Sequence, residues 1–203
     1  GFRSIDVICF THYHADHVAG LPGLLLTIAN SNRTEAITLL GPPGLDEVIK
    51  GLTVIAPVLP YELVLIELSD RIQSEHRVGD VLIRSLPCDH NINCLAYSLE
   101  IERAGEFNVH KAMGFGIPVT FWNRLQKGNA VEIEGKVYKP EMVMGRTRKG
   151  LKVTYCTDTR PINKLASFIN GSDLLVCEGL YGEEDKWEGA VEKKHMIFSE
   201  AGS

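Results

Sequence analysis

The chain has 203 residues, of which 44% are hydrophobic and 23% are charged, and its formal net charge is −5 at pH 7. This length fits one domain, and the composition excludes a disordered, collagen-like or low-complexity chain. No apolar run approaches the roughly 18–20 residues that a membrane helix needs, and no signal peptide opens the chain, so we expect no membrane partner.

Short apolar runs alternate with helical patterns, which predicts a layered α/β fold over residues 1–203. Residues 105–150 differ because they are glycine-rich and basic, and we predict that they form an inserted arm. The periodicity predicts strands at 4–10, 37–40, 62–68, 81–86, 94–101, 151–156 and 174–177, helices at 18–29, from 45 and at 161–168, and a hairpin at 130–137.

Charge is unevenly distributed along the chain. Residues 124–152 carry eight basic and three acidic side chains, although the chain as a whole is acidic. Such a segment could bind a polyanion, or it could be an ordinary solvated basic face. The five cysteines include no C-x-x-C pair and lie mostly in apolar runs, which favours buried, reduced thiols and a cytoplasmic protein.

The densest chemical signal is a group of four polar residues between a predicted strand and a predicted helix. His12, His14, Asp16 and His17 lie within six positions, and three imidazoles with one carboxylate are costly to bury without partners. A turn at the end of a strand can direct all of them toward one point. Imidazole and carboxylate together suit zinc or manganese, so the loop predicts a metal site.

Further ligands must come from other strand ends. His90 follows the strand at 81–86, and Asp158 follows the strand at 151–156. Taken alone, His90 could be structural and Asp158 could cap the helix near Pro161. Asp89 could orient His90 or cap the turn. The histidine-rich loop favours metal binding for both His90 and Asp158.

Several longer segments carry a family resemblance. They are FTHYHADHVAGLPGLLLTI at 10–28, LLGPPGL at 39–45, PCDHNINCLAYSLEI at 87–101, FNVHKAMGFGIP at 107–118, TYCTDTRP at 154–161 and LLVCEGLY at 174–181. With these segments in this order, the chain resembles the metallo-β-lactamase superfamily and, within it, the ribonuclease Z family of tRNA 3′-processing endonucleases. The resemblance implies an αββα sandwich with an inserted arm.

The resemblance also implies a metal centre with two zinc ions, although manganese or iron would suit the same ligands. One zinc would be held by His12, His14 and His90, the other by Asp16 and His17, with Asp158 bridging the two.

Catalytic and substrate roles follow from the same resemblance. Asp16 would orient the attacking hydroxide, and His195, oriented by Glu178, would protonate the leaving oxygen. The substrate-binding candidates implied are Lys111, Phe115, Gly116 and Arg160. For Arg160, an ion pair with a carboxylate is the alternative to a phosphate contact.

The chain departs from the family pattern at both ends and within two motifs. It starts eleven residues before His12 and ends eight after His195, so we expect a sandwich that is incomplete at both ends. The family's last metal histidine has no match. Cys177 precedes Glu178 where the family has His-Glu, and Met196 follows His195 where it has His-Ser, so tRNA need not be the only substrate.

The functional hypothesis is a zinc-dependent endoribonuclease, a phosphodiester hydrolase that removes the 3′ trailer of precursor tRNA by attack of a metal-activated hydroxide. The alternatives are a phosphodiesterase for a small or cyclic diester, or an inactive chain that only binds metal or RNA. The resemblance implies a cytoplasmic homodimer whose arm grips RNA. Phe121 and Trp122 in that arm could stack on bases or pack the arm.

Overall fold

The computed structural model describes residues 1–146, 148–182 and 186–202, and these form two compact units. Unit 1 comprises Gly1–Glu100 and Lys152–Ser203, and unit 2 comprises Ile101–Leu151. Within the described residues, no helix is both long enough and apolar enough to cross a bilayer.

After a 3₁₀ turn at Phe2–Ser4, strands and helices interleave as the periodicity predicts. The strands are β1 (Val7–Cys9), β2 (Ile37–Gly41), β3 (Leu63–Glu67), β4 (Ser74–Val78), β5 (Val81–Pro87), β6 (Leu95–Ile101), β7 (Val131–Ile133), β8 (Lys136–Tyr138), β9 (Leu151–Cys156) and β10 (Leu174–Cys177). The helices are α1 (Ala15–Val18), α2 (Leu21–Ala29), α3 (Leu45–Thr53), α4 (Val109–Gly114), α5 (Val119–Gln126), α6 (Pro140–Val143), α7 (Leu165–Ile169), α8 (Trp187–Lys193) and α9 (Phe198–Ala201).

Two sheets form the centre of unit 1. Among the described residues, β1, β2 and β3 make a parallel sheet in that order, with Cys9 opposite Leu40. The second sheet has the order β10-β9-β6-β5-β4, in which β9 and β10 are parallel and β4 and β5 antiparallel. Strand β2 is buried along nearly its whole length, as expected of a strand that is covered on both faces.

Three hydrophobic layers give unit 1 an αββα arrangement. On one face of β2, Ile37 and Leu39 pack against α2, whose Leu25 and Ile28 are fully buried. On the other face, Leu40 belongs to a cluster with residues of β5 and β6 that fills the space between the sheets. Outside the second sheet, α7 packs on β5, β6 and β9. The fold class predicted from the sequence is therefore the one observed.

Two local differences from the predicted elements have physical causes. Strand β4 was not predicted, because its sequence Ser-Glu-His-Arg-Val is polar, as suits a strand at the edge of the second sheet. The helix predicted from Pro161 begins only at Leu165, since residues 162–165 first form a separate turn in which the N–H of Leu165 donates to the carbonyl of Ile162 at 2.9 Å.

Unit 2 has a small hydrophobic core of its own. Its helices and the β7–β8 hairpin bury a cluster that includes Leu125 and Val143. The indole of Trp122 donates to the carbonyl of Ile117 at 2.9 Å, and its ring lies 5.4 Å from that of Phe107. Of the two roles considered for Trp122, base stacking and packing, its contacts are those of packing within unit 2.

The hairpin of unit 2 turns where the sequence predicts. Glu134 and Gly135 have φ angles of 50° and 78°, the two consecutive positive values of a type I′ turn. Glycine at the second position adopts this conformation without steric cost.

Candidate metal centre

The histidine-rich loop leaves β1 at a point anchored by both sheets. The N–H of Phe10 donates to the carbonyl of Leu40 at 2.7 Å, which continues the pairing of β1 with β2. From β6, the hydroxyl of Tyr97 donates to the Phe10 carbonyl at 2.7 Å, and the N–H of Leu95 donates to the Thr11 carbonyl at 2.9 Å. The loop therefore starts from a backbone with little freedom.

A tyrosine within the loop also ties it to the end of β2. The hydroxyl of Tyr13 donates to the carbonyl of Pro42 at 2.6 Å. It lies so close to Gly41 that a Cβ atom there would be 2.5 Å from the oxygen. A side chain at Gly41 would therefore displace the tyrosine hydroxyl from this hydrogen bond.

Three imidazoles face one carboxylate oxygen, and a fourth lies beside them. The Nε2 atoms of His12, His17 and His90 lie 3.1, 3.2 and 3.8 Å from Oδ2 of Asp158. Nδ1 of His14 lies 3.3 Å from Nε2 of His90. The ligand atoms of His12, His14, His90 and Asp158 all fall within 4.8 Å of one another, so these side chains fit one metal ion.

The burial of His12 tests whether the residues present fit a metal. Its side chain is fully buried, and among the described residues its Nε2 atom makes no hydrogen bond, although it lies near Asp158. Thr11 Oγ1 lies 3.0 Å from the other ring nitrogen. A buried nitrogen without a hydrogen bond is costly. A cation between these ligands would satisfy it, so the donor set fits a divalent metal.

Asp158 occupies an unusual backbone conformation at the end of β9. Its φ angle is 51°, in the left-handed region that Asp tolerates better than most residues. Burial would raise the pKa of its carboxyl, but interactions with His12 and Thr157 and the nearby charge of His17 lower the pKa overall. The carboxylate form is therefore the one that faces the imidazoles.

A backbone carbonyl orients His90. Its Nδ1 atom lies 3.2 Å from the carbonyl oxygen of Lys194. Since a carbonyl only accepts, Nδ1 carries the proton, and the lone pair of Nε2 faces Asp158. Burial lowers the pKa of His90, which favours the neutral imidazole that a metal requires.

His195 and Glu178 form a pair beside the imidazole cluster. Nδ1 of His195 lies 3.0 Å from Oε2 of Glu178. The same carboxylate accepts the N–H of Thr159 at 2.5 Å and that of Met196 at 3.3 Å. His195, Glu178 and Asp158 could also surround a cation. The backbone donors on both oxygens of Glu178 favour a role in holding the imidazole.

Arg160 is engaged by the protein. Its guanidinium forms a bidentate ion pair with Glu200 and donates to the carbonyl of His195 at 2.6 Å. Its side chain is only 14% exposed. Of the two alternatives for Arg160, the geometry favours the ion pair with a carboxylate, because its donors point at Glu200 and His195.

The Arg160–Glu200 pair predicts a pH-dependent contribution to stability. The hydrogen bonds from Arg160 lower the pKa of the Glu200 carboxyl. Stabilisation is therefore present above the ordinary glutamate pKa of about 4.3 and is lost as the pH falls through the lower pKa of the folded state. We expect Glu200→Gln to lower the melting temperature at neutral pH, with the difference from the wild type shrinking toward pH ~3.

The exposed Glu188 on α8 provides the control for this measurement. Glu188→Gln should leave the melting curve nearly unchanged at each pH. If Glu200→Gln lowers the melting temperature by the same amount at every pH, the pH-dependent contribution of the Arg160–Glu200 pair is contradicted.

A cleft of about 630 Å³ opens in front of these side chains. Asp16 lies at its rim, 81% exposed, with Oδ2 3.6 Å from Nε2 of His17. Asp16 and His17 thus lie beside, and not inside, the four-residue group. The cleft is lined by His14, Asp16, His17, His90, Asn91, Thr157, Asp158, Glu178, Gly179, Leu180, Lys193 and His195.

The other substrate-binding candidates lie in unit 2. Lys111 is exposed on α4, where its N–H is capped by the side chain of Asn108 at 3.0 Å. Phe115 is 40% exposed and accepts the hydroxyl of Tyr138 on its carbonyl. Gly116, with a φ angle of 69°, completes the turn after α4. All three residues are exposed.

The interpretation of the sequence did not include Lys194 as a residue of the site. Its contribution is a backbone carbonyl and a left-handed conformation, with φ 58° and ψ 47°. The type of side chain at Lys194 indicates neither the role of the carbonyl nor the left-handed conformation. The sequence offers only its position directly before His195.

Comparison with known proteins agrees with this geometry. Residues 3–87 match the sequence profile of the Metallo-beta-lactamase superfamily. Ribonuclease Z of Clostridium acetobutylicum is 57% identical over 206 residues, which cover 99% of this chain and 67% of that protein. Ribonuclease Z of Clostridium novyi is 46% identical over 212 residues, which cover 100% of this chain and 68% of that protein. The chain thus spans about two thirds of the length of these relatives.

Solved structures show the same fold. Human tRNase Z, short form, superposes with a TM-score of 0.63 at 17% identity, covering 100% of this chain and 68% of that one. A long form RNase Z from yeast gives a TM-score of 0.60 at 16% identity, covering 98% and 27%. The predicted metallo-β-lactamase fold is confirmed by these likenesses.

Proposed function

We propose, because the chain belongs to the ribonuclease Z family, that it is a metal-dependent phosphodiester hydrolase that removes the 3′ trailer of precursor tRNA. The observation that carries the proposal is the carboxylate of Asp158, whose Oδ2 faces three imidazole nitrogens at 3.1, 3.2 and 3.8 Å. A carboxylate shared among several imidazoles suits a ligand that bridges two cations.

The donor set supports two divalent cations. His12, His14 and His90 would hold one, Asp16 and His17 the other, and Asp158 would contact both. We propose zinc, the metal for which imidazole and carboxylate ligands are typical, and manganese or iron would suit the same atoms. When bound, such a pair supplies a nucleophile at neutral pH and neutralises charge on the phosphate.

The side chains around the cleft would then carry out the remaining steps. The exposed carboxylate of Asp16 can accept a proton of the attacking water and orient it. His195 lines the same cleft, and its Nδ1 is held by Glu178, so Nε2 is available to protonate the leaving oxygen. Glu178 thereby holds the imidazole in the orientation that this step requires.

RNA would be bound by electrostatic contacts of unit 2. Most of the basic residues between 124 and 152 belong to this unit, and the exposed Lys111 on α4 adds a further positive charge. Lysine and arginine contacts to phosphates produce an affinity that falls with salt concentration. The proposed RNA binding by unit 2 depends on these positive charges and not on stacking by Trp122, because Trp122 packs within the unit.

We also propose a cytoplasmic homodimer. All five cysteines are free, which suits a reducing compartment. Directly after α3, the side chains of Val54, Ile55 and Val58 are 72%, 76% and 82% exposed, and a second subunit would remove such apolar surface from water. Light scattering during gel filtration of the complete gene product tests the dimer.

The test of the proposed function is cleavage of a precursor tRNA by the complete gene product. Removal of metal with a chelator should abolish cleavage, and added Zn²⁺ or Mn²⁺ should restore it, because the buried imidazoles need a cation. The products to be measured are the mature 3′-hydroxyl end and the released trailer.

The same assay separates the alternatives. The matched control is a transcript that already ends at the mature 3′ end, which should not be cut. Faster hydrolysis of a small or cyclic phosphodiester than of precursor tRNA would favour the phosphodiesterase alternative. Metal binding without turnover of either substrate would support an inactive binding protein, and full cleavage after metal removal would contradict the proposal.

A further inference from the structure

The turn that ends α8 contacts two parts of the site at once. Lys194 has a left-handed backbone, with φ 58° and ψ 47°, and its N–H donates to the carbonyl of Val191 at 3.2 Å. The N–H of the next residue, His195, donates to the carbonyl of Ala190 at 2.8 Å. Among ordinary residues this conformation is sterically unfavourable, and glycine usually occupies it at a helix end.

The conformation of Lys194 directs its carbonyl at the site. The oxygen lies 3.2 Å from Nδ1 of His90, whose Nε2 then faces His14 Nδ1 at 3.3 Å and Asp158 Oδ2 at 3.8 Å. A different φ at Lys194 would rotate this carbonyl away and leave the imidazole of His90 without the contact that selects its tautomer.

Two further contacts join the same segments. The amide of Asn91 donates to the carbonyl of Lys193 at 3.3 Å, and the ammonium of Lys194 pairs with Asp89. The side chains of Lys194 and Asp89 are 37% and 45% exposed, so solvent screens their attraction. The backbone conformation of Lys194 therefore matters more to the site than its charge.

We propose that Lys194 is a positioning residue, whose left-handed backbone orients His90 for metal binding and holds His195 beside Glu178. The inference rests on the proposed function, because it assigns His90 to the metal. The backbone conformation of Lys194 would thus affect two functions. It would affect metal affinity through the side chain of His90 and proton transfer through the side chain of His195.

Substitutions that differ in their tolerance of this conformation test the inference. Lys194→Gly keeps the conformation and removes the ammonium, whereas the β-branched Lys194→Val disfavours it. In the complete gene product, we expect the glycine variant to bind Zn²⁺ within about threefold of the wild type. The valine variant should bind about 10- to 100-fold more weakly, as measured by chelator competition.

The matched control is Asn32, an exposed residue after α2 that has a φ angle of 59°. Asn32→Val introduces the same local strain away from the site, so it should lower the melting temperature of the metal-free protein and leave zinc affinity unchanged. If Lys194→Val does not fold, Lys194→Ala, which is less strained, is compared with Lys194→Gly in its place.

A second measurement addresses His195. At saturating metal, Lys194→Val should shift the pH profile of kcat for RNA cleavage, whereas Lys194→Gly should have the same profile as the wild type. A wild-type protein that binds no divalent metal would overturn both the proposed function and this inference. A wild type that binds metal, together with a valine variant that binds it equally tightly, would overturn the inference alone.

Discussion

Replacing Asp158 with alanine is expected to abolish metal binding and RNA cleavage together. The carboxylate is 8% exposed and faces the imidazoles of His12, His17 and His90, so its loss removes the group they share. Metal ions supply several kcal/mol of transition-state stabilisation, and each ~1.4 kcal/mol is a factor of ten in rate. We expect kcat/KM to fall by about 10³-fold or more, with zinc content per chain measured on the same preparation.

A carboxylate of the same kind outside the site provides the control. Asp80 is exposed in the turn between β4 and β5, and Asp80→Ala should retain both zinc and activity. Circular dichroism of the metal-free Asp158→Ala protein checks that it is folded. Wild-type cleavage by folded Asp158→Ala protein would overturn the proposed metal centre.

Replacing His195 is expected to slow RNA cleavage and to leave metal binding intact. General acid catalysis contributes about 10²- to 10⁴-fold, because a ribose oxygen leaves poorly without a proton. His195→Ala should therefore lower kcat for precursor tRNA by that factor. Zinc affinity should remain near that of the wild type, because Glu178 holds Nδ1 of His195 and the proposed metal ligands do not include His195.

The nature of the leaving group provides a sharper test. In bis(4-nitrophenyl) phosphate the leaving phenolate needs little protonation, so His195→Ala should hydrolyse it almost as fast as the wild type. Glu178→Gln should show the same selectivity with a smaller loss, because it weakens the orientation of His195 and keeps the imidazole. Equal losses on both substrates would contradict the role of proton donor and favour a role in binding.

The structure supports most of the site geometry that was predicted from the sequence. The spacing of His12, His14, Asp16 and His17 places them on one short loop, so their proximity needs no knowledge of the fold. His90 and Asp158 follow predicted strands, and strand ends at one edge of a layered fold lie close together. The roles of these residues stay proposals until the variants are measured.

Other features depended on contacts between segments that are distant in the sequence. Arg160 and Glu200 are 40 positions apart, and only folding shows that the guanidinium is occupied by an ion pair. Lys194 contributes through its carbonyl, which every residue possesses, so its side-chain type does not indicate this role. Strand β4 is polar because it lies at a sheet edge, and its pairing with β5 reveals it as a strand.

The sequence by itself indicated α/β layers and the loop that carries most of the candidate metal ligands, and its motifs resembled those of one family. It could do so because hydrophobic periodicity and the spacing of ligands are local properties of a chain. Only the tertiary structure decided which nitrogen of each histidine faces Asp158, which groups hold His90 and His195, and that Arg160 is used internally. These features depend on distances of a few ångströms between separate segments, and such distances are set by how the two sheets and their helices pack.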